Sequence, residues 1–418
     1  MILYDNKGQV VLDINEFDYK KYIYGDSGLL HDEMTGLKVV YLDGDITGMS
    51  GDVKKDMKWS FNGESGNCTV KWQGSSSVAL VKKNYSLKLD AASDWGSAWE
   101  RTKWGSQKKY VLKANYTDFT HAAYWCAARL WGEVVQARHG TLPQAMLDSL
   151  NYGTVDGFPV MLVMNGKYVG LYTVMTHKEI ATNVDSVGGY FLTAQNQDLT
   201  FSTAVSFSAH TSDYNLKNEV DYECVNAPDE DDLAEVADSL NDCVDVVLQA
   251  GSGWQTDVAD YLDVEAAIDY YIFRCLLGDN DGYCKNQGML SYDKVKWYHT
   301  VYDLDHAFAT AGTRSWHISP EEDLYSKYAT YNKVFNLIRT YSKTDLKNRY
   351  FALREGVLRE AHVYDLLANF INDIPGELYA QEDRLWPLTP NSSTASLHQM
   401  ADWYRLRCQW SDAYINAL

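Results

Sequence analysis

Residues 279–308 read DNDGYCKNQGMLSYDKVKWYHTVYDLDHAF, which sets five carboxylates among residues that otherwise look like buried strand. Carboxylates forced together repel one another and lose hydration, so such a cluster pairs with cations or holds a metal. A calcium loop of the EF-hand type starting at Asp279 fails, because Gly282 is misplaced and Leu290 stands where the closing Glu is needed. There is no HExxH and no Cys ligand set, so zinc has little support. What remains is a hairpin, with Asp281 and Asn286 on its first half and Asp303 and Asp305 on its second.

Phosphoryl transfer uses such a set. Magnesium takes oxygen ligands, commonly one or two carboxylates together with substrate phosphates. A protein-kinase catalytic loop carries an Asp that orients the hydroxyl nucleophile and, five residues on, an Asn that reaches metal. Asp281 and Asn286 have that spacing, and Asp303 in "YDLD" follows a strand where a kinase places its second metal-binding Asp. The competing reading is a surface Asp-Asn turn closing a hairpin, with Asp303 capping the next segment. Trp297, Tyr302, Leu304 and Phe308 weigh against it, since they bury the strand end, where an unpaired charge is expensive.

Outward from this stretch the hydrophobic period changes. Residues 37–46, 68–74, 84–90 and 108–116 alternate as strands do, and residues 158–175 read as two strands around the turn dipeptide Asn165-Gly166. A long helix is predicted from an N-cap at Asp118. Residues 211–235 are acidic and polar and suit a solvated crossing. Beyond them come two helical runs, the strand 295–304 and a mostly helical remainder from 331. The expected class is α+β: an N-terminal arm over 1–36, a β-rich lobe with a long helix over 37–210, and a mostly helical lobe over 211–418 that carries the acidic hairpin.

Composition narrows the partners. Hydrophobic residues make up 46% and aromatics 13% of the 418, enough for a large core and against disorder. The formal charge of -20 repels a phosphate backbone, which argues against nucleic acid or an anionic membrane as the main partner. Seven scattered Cys without a CxxC pair suggest buried free thiols. No signal peptide is visible at the start and no run of about 18 apolar residues occurs, so a cytoplasmic protein or one part of a larger soluble assembly is expected.

Four segments together resemble the spore-coat CotH-type kinase family: KWQGSSSVALVKKNYSLKLD (71–90), YVLKANYTDFTHA (110–122), VDGFPVMLVMNGKYVGLYTV (155–174) and the acidic hairpin. Within that family the chain resembles more closely the versions of the domain found in tail proteins of phages infecting Gram-positive hosts. The resemblance implies an atypical protein-kinase-like bilobal fold that binds ATP with Mg²⁺ or Mn²⁺ and phosphorylates Ser or Thr of a protein substrate, with other phage tail proteins as further partners. It also implies roles: Asp281 as catalytic Asp with Asp279 as rival, Asn286 and Asp303 as metal ligands, and Asp305 nearby. Gly74, Ser75 and Ser76 fall at the phosphate loop, and Lys83 is the nucleotide lysine, with Lys82 and Lys113 as rivals and Glu179 or Glu133 as its acidic partner. The chain departs from ordinary kinases in lacking GxGxxG, a Walker sequence, His-Arg-Asp, the DFG glycine and APE. His299 and His306 are read as structural.

Overall fold

The computed structural model describes residues 37–74, 76–101, 103–194, 222–226, 230–279, 282–283, 286–309, 318–387 and 396–418, with 2–4 and 10–13 in backbone alone. The expected lobe boundary at 210 and 211 lies outside them. The chain divides into two compact units, each assembled from separate stretches of sequence.

One unit takes Met1–Ala122, Gly157–Thr176 and Ala368–Ala395. After a small antiparallel pair, β1 (Ile2–Tyr4) with β2 (Val10–Asp13), seven strands follow. They are β3 (Lys38–Asp43), β4 (Lys55–Phe61), β5 (Glu64–Gln73), β6 (Asn84–Ser93), β7 (Gln107–Lys113), β8 (Gly157–Met164) and β9 (Lys167–Thr176). Their order is β3-β4-β5-β6-β7-β9-β8, and parallel pairing of β3 with β8, Lys38 opposite Val160, closes the sheet into a barrel. Closure removes every free edge, so no ladder group of these strands is left to recruit a stranger. The unbroken apolar run of β8 fits a strand with a neighbour on each side, and all its residues are buried. Asn165 and Gly166 both take left-handed φ values, 51° and 71°, in the tight β8–β9 turn. Stacked aromatics fill the core, with Trp95 on Tyr110 at 4.5 Å and Trp104 on Phe158 at 5.3 Å. The β-rich part is therefore a closed barrel, where alternation alone had suggested only a sheet.

The other unit takes Ala123–Asp156, His177–Leu367 and Ser396–Leu418. The predicted long helix belongs here and spans Ala123–Gln136. It starts later than Asp118 because that carboxylate instead closes a local turn, accepting from the N–H (2.9 Å) and hydroxyl (2.7 Å) of Thr120. His121 at φ 61° then breaks the helical path. Strands β10 (Tyr190–Ala194), β11 (Tyr222–Cys224), β12 (Gln287–Ser291) and β13 (Trp297–Val301) form an antiparallel sheet in the order β11-β10-β12-β13. The helix Val264–Leu277 is apolar on nearly every side and buried from Ala266 onward, as a core helix must be. Asp263 caps its start by accepting from the Ala266 N–H at 2.8 Å, and left-handed Gly278 ends it. Further helices over Leu324–Tyr331, Lys333–Tyr341, Lys343–Glu355 and Leu397–Asn416 complete this unit's helical character. The six described cysteines are buried. Among the described residues no helix is long and apolar enough to cross a membrane.

Candidate functional site

In the barrel unit the chain leaves β5 at Gly74, whose φ of 112° suits glycine, and a Cβ built there would lie 1.9 Å from the Ser77 hydroxyl oxygen. Ser75 lies outside the described residues, and Ser76 opens the short 3-10 turn Ser76–Ala79. Lys82 and Lys83 follow, and their side chains go to different places. Lys83 Nζ donates to the carbonyls of Val78 (2.7 Å) and Leu80 and lies 4.7 Å from the Trp72 ring, so it fastens the loop that precedes it. Lys113 is half-buried on β7, opposite Thr173 of β9.

Lys82 is buried and forms a 2.5 Å ion pair with Glu382, on the helix Gly376–Leu385 of the same unit. Its Nζ also donates to the carbonyls of Ala114 (3.1 Å) and Leu171, while the other Glu382 oxygen accepts from the Leu171 N–H at 2.9 Å. Burial pushes the ammonium pKa down and the carboxyl pKa up, and the pairing opposes both shifts. His121 Nε2 lies 3.7 Å from Glu382 and is held well below the ordinary imidazole value, first by burial and then by the Lys82 charge. The acids considered as partners for the lysine are engaged elsewhere: Glu133 with His362 at 2.5 Å and Glu179 with His177 at 3.7 Å. Sequence reasoning missed Glu382. Its signal was a Glu four residues after Leu378, on the face of a helix that also buries Gln381.

In the helical unit β12 and β13 pair from Ser291 opposite Trp297 to Gln287 opposite Val301, so the ladder stops there. Asn286 immediately precedes β12, and Asp303 follows β13 by two residues, which brings both to the open end of the hairpin. Both are left-handed, with φ 58° for Asn286 and 51° for Asp303. Asn and Asp tolerate that conformation better than other L residues, at a cost that glycine avoids. Asp305 is half-exposed, with His306 at 3.9 Å. The phenol of Tyr124 is pushed well above its usual value, chiefly by burial and then by the charges of Asp303 and Asp305, with a hydrogen bond to the Asp303 backbone opposing. Asp279 is fully buried in an ion pair with Arg274, and Asp281 lies outside the described residues.

Among the described residues no three His, Cys, Asp or Glu gather as a metal cage. The donor chemistry at the hairpin end still suits a hard cation: one carboxamide and two carboxylates, all oxygen, in the number magnesium or manganese takes from protein when phosphates supply the rest. The residues therefore fit a nucleotide-linked divalent ion. A cavity of about 780 Å³ exists elsewhere in this unit, lined by Leu262, Ile268, Glu265 and Arg349 near the start of the helix Val264–Leu277, and it contains none of these donors.

One unit thus holds a buried lysine–glutamate pair, and the other holds a carboxamide and two carboxylates at and just beyond the end of a hairpin. Compared with models of protein families, residues 70–411 match CotH kinase protein, and the chain belongs to that family. No curated protein matches it.

Proposed function

We propose that this protein binds ATP with Mg²⁺ or Mn²⁺ and transfers the γ-phosphoryl group to Ser or Thr hydroxyls of a protein, its own chain included. The observation that carries this reading is the pair of left-handed residues, Asn286 and Asp303, at the open end of one hairpin. These two side chains hold the ion, with Asp305 in reserve. The ion, when bound, neutralises charge on the phosphate oxygens. Asp281, assigned by its spacing to Asn286, orients the acceptor hydroxyl and takes its proton. The new O–P bond forms as the bond to the β–γ bridging oxygen breaks, and ADP leaves. Lys82, oriented by Glu382, is the better candidate for the nucleotide lysine, because an acid fixes it as kinases fix theirs; Lys83 and Gly74 shape the loop before it.

A second reading makes the chain a catalytically silent module of a phage tail, used in assembly or host attachment. One observation favours it: the three protons of the Lys82 ammonium already have Ala114, Leu171 and Glu382 as acceptors, so a phosphate must displace one of them. Incubation with γ-labelled ATP and manganese, followed by mass spectrometry of the chain, separates the two. The kinase reading expects incorporation by wild type and its loss, by a hundredfold or more, in Asp281→Asn, Asp303→Ala and Lys82→Met, with Lys83→Met less affected. No incorporation and no metal-dependent nucleotide binding by wild type overturns the kinase reading and leaves the silent module.

A further inference from the structure

We infer that Arg274 is a positioning residue for the metal-binding end of the hairpin, held in register by Asp279 and Gly282. The inference rests on the reading of Asn286 and Asp303 as metal donors. Arg274 sits in the last turn of the helix Val264–Leu277 and is fully buried. Its Nη1 pairs with the equally buried Asp279, while its Nη2 donates to the carbonyls of Asn286 (3.1 Å) and Tyr302 (3.2 Å). Those two carbonyls flank the last cross-strand pair, Gln287 opposite Val301. One nitrogen thus bridges the hairpin where its own ladder ends.

The two peptides that Nη2 holds decide where the donor side chains point. One follows Asn286 and the other precedes Asp303, and both residues are in the left-handed region, which Asn and Asp tolerate but at a cost that glycine does not bear. Fixing those planes keeps each side chain aimed. An ammonium cannot do the same, because only a planar fork reaches a carboxylate and two carbonyls from fixed directions.

Gly282 makes room for that fork. A Cβ at 282 would lie 2.1 Å from Arg274 Cζ and 2.2 Å from its Nε, so any side chain there displaces the guanidinium. Tyr270 supports the same contact, its hydroxyl donating to the Gly282 carbonyl at 2.6 Å and its ring lying 4.9 Å from the guanidinium carbon. Asp279, the rival for the catalytic role, is thereby committed to Arg274 and orients it.

The test uses the full chain as wild type, Arg274→Lys and Gly282→Ala, with two readouts beside the melting temperature. Amide hydrogen exchange of peptides covering 286–288 and 301–303 reports the clamp without any ligand. Manganese titration in the presence of ATP, followed by the paramagnetic signal of the free ion, reports the donors. Both variants are expected to speed exchange at the hairpin end about tenfold and to weaken manganese binding by about 10- to 100-fold, the loss typical when a partner of a metal ligand is removed. If Arg274→Lys does not fold, Gly282→Ala decides. Unchanged exchange overturns the clamp, and faster exchange with unchanged manganese affinity overturns its role in aiming the donors. A wild type that takes up no manganese with ATP defeats the donor reading itself, while the exchange result still judges the clamp.

Discussion

Lys82 and Glu382 lie 300 residues apart in the chain and meet in a 2.5 Å ion pair inside the barrel unit, both buried. An ion pair removed from water is stabilising only while both members are present, since either alone is an uncompensated buried charge. Lys82→Met and Glu382→Gln should each cost about 3–5 kcal/mol, whereas Lys82→Met combined with Glu382→Leu should recover much of the loss. Urea unfolding of the four proteins checks this. A Lys82→Met variant as stable as wild type would show the pair to be dispensable.

Acid should weaken the fold through two histidines. Burial, and then the Arg138 charge, hold the His299 pKa down to about 3, and burial with the Lys82 charge holds His121 well below the ordinary value. The folded forms refuse a proton that the unfolded imidazoles accept near pH 6.5. Their stability is therefore complete above about pH 6.5 and falls as pH drops toward 3, at up to about 1.4 kcal/mol per pH unit for each histidine. His299 lies 5.1 Å from the Tyr270 ring and 6.5 Å from Phe335, so His299→Phe suits its surroundings. Thermal melts between pH 5 and 6.5, above most carboxylate titration, should show a shallower decline in this variant. Equal slopes would mean that His299 takes up its proton in the folded state.

The elements legible in the sequence were those set by local rules. Alternation marked β3, β5, β6 and β7, and Asn165-Gly166 marked the β8–β9 turn with its two positive φ values. Closure of the barrel was not legible, because it depends on residues 38–42 pairing with 160–164, and a period of two does not say which strand a strand will choose. The start of the long helix was misjudged for a similar reason. Asp118 is a good cap by residue type, but Thr120 offered its carboxylate a nearer turn. At the site, the hairpin with Asn286 on its first half and Asp303 on its second was legible from pattern and spacing, whereas their place at its open end was not. Glu382 and Arg274 were not, since each acts on residues that only tertiary folding brings near.

Asp303 combines a strained backbone with a proposed metal-binding side chain, so substitutions there can separate the two. At φ 51° a side chain with a Cβ costs roughly 1–2 kcal/mol that glycine avoids and Asn or Asp partly avoid. Asp303→Gly and Asp303→Asn should therefore melt close to wild type, while Asp303→Ala should lose about 1 kcal/mol. Affinity for manganese with ATP should follow a different order. All three variants lack the carboxylate and should bind at least about tenfold more weakly, glycine no better than alanine. Melting curves and calorimetry on the same preparations give both rankings. If Asp303→Asn bound manganese and ATP as tightly as wild type, the charge at 303 would have no part in holding the ion, and Asp305, two residues further on, would become the carboxylate to test.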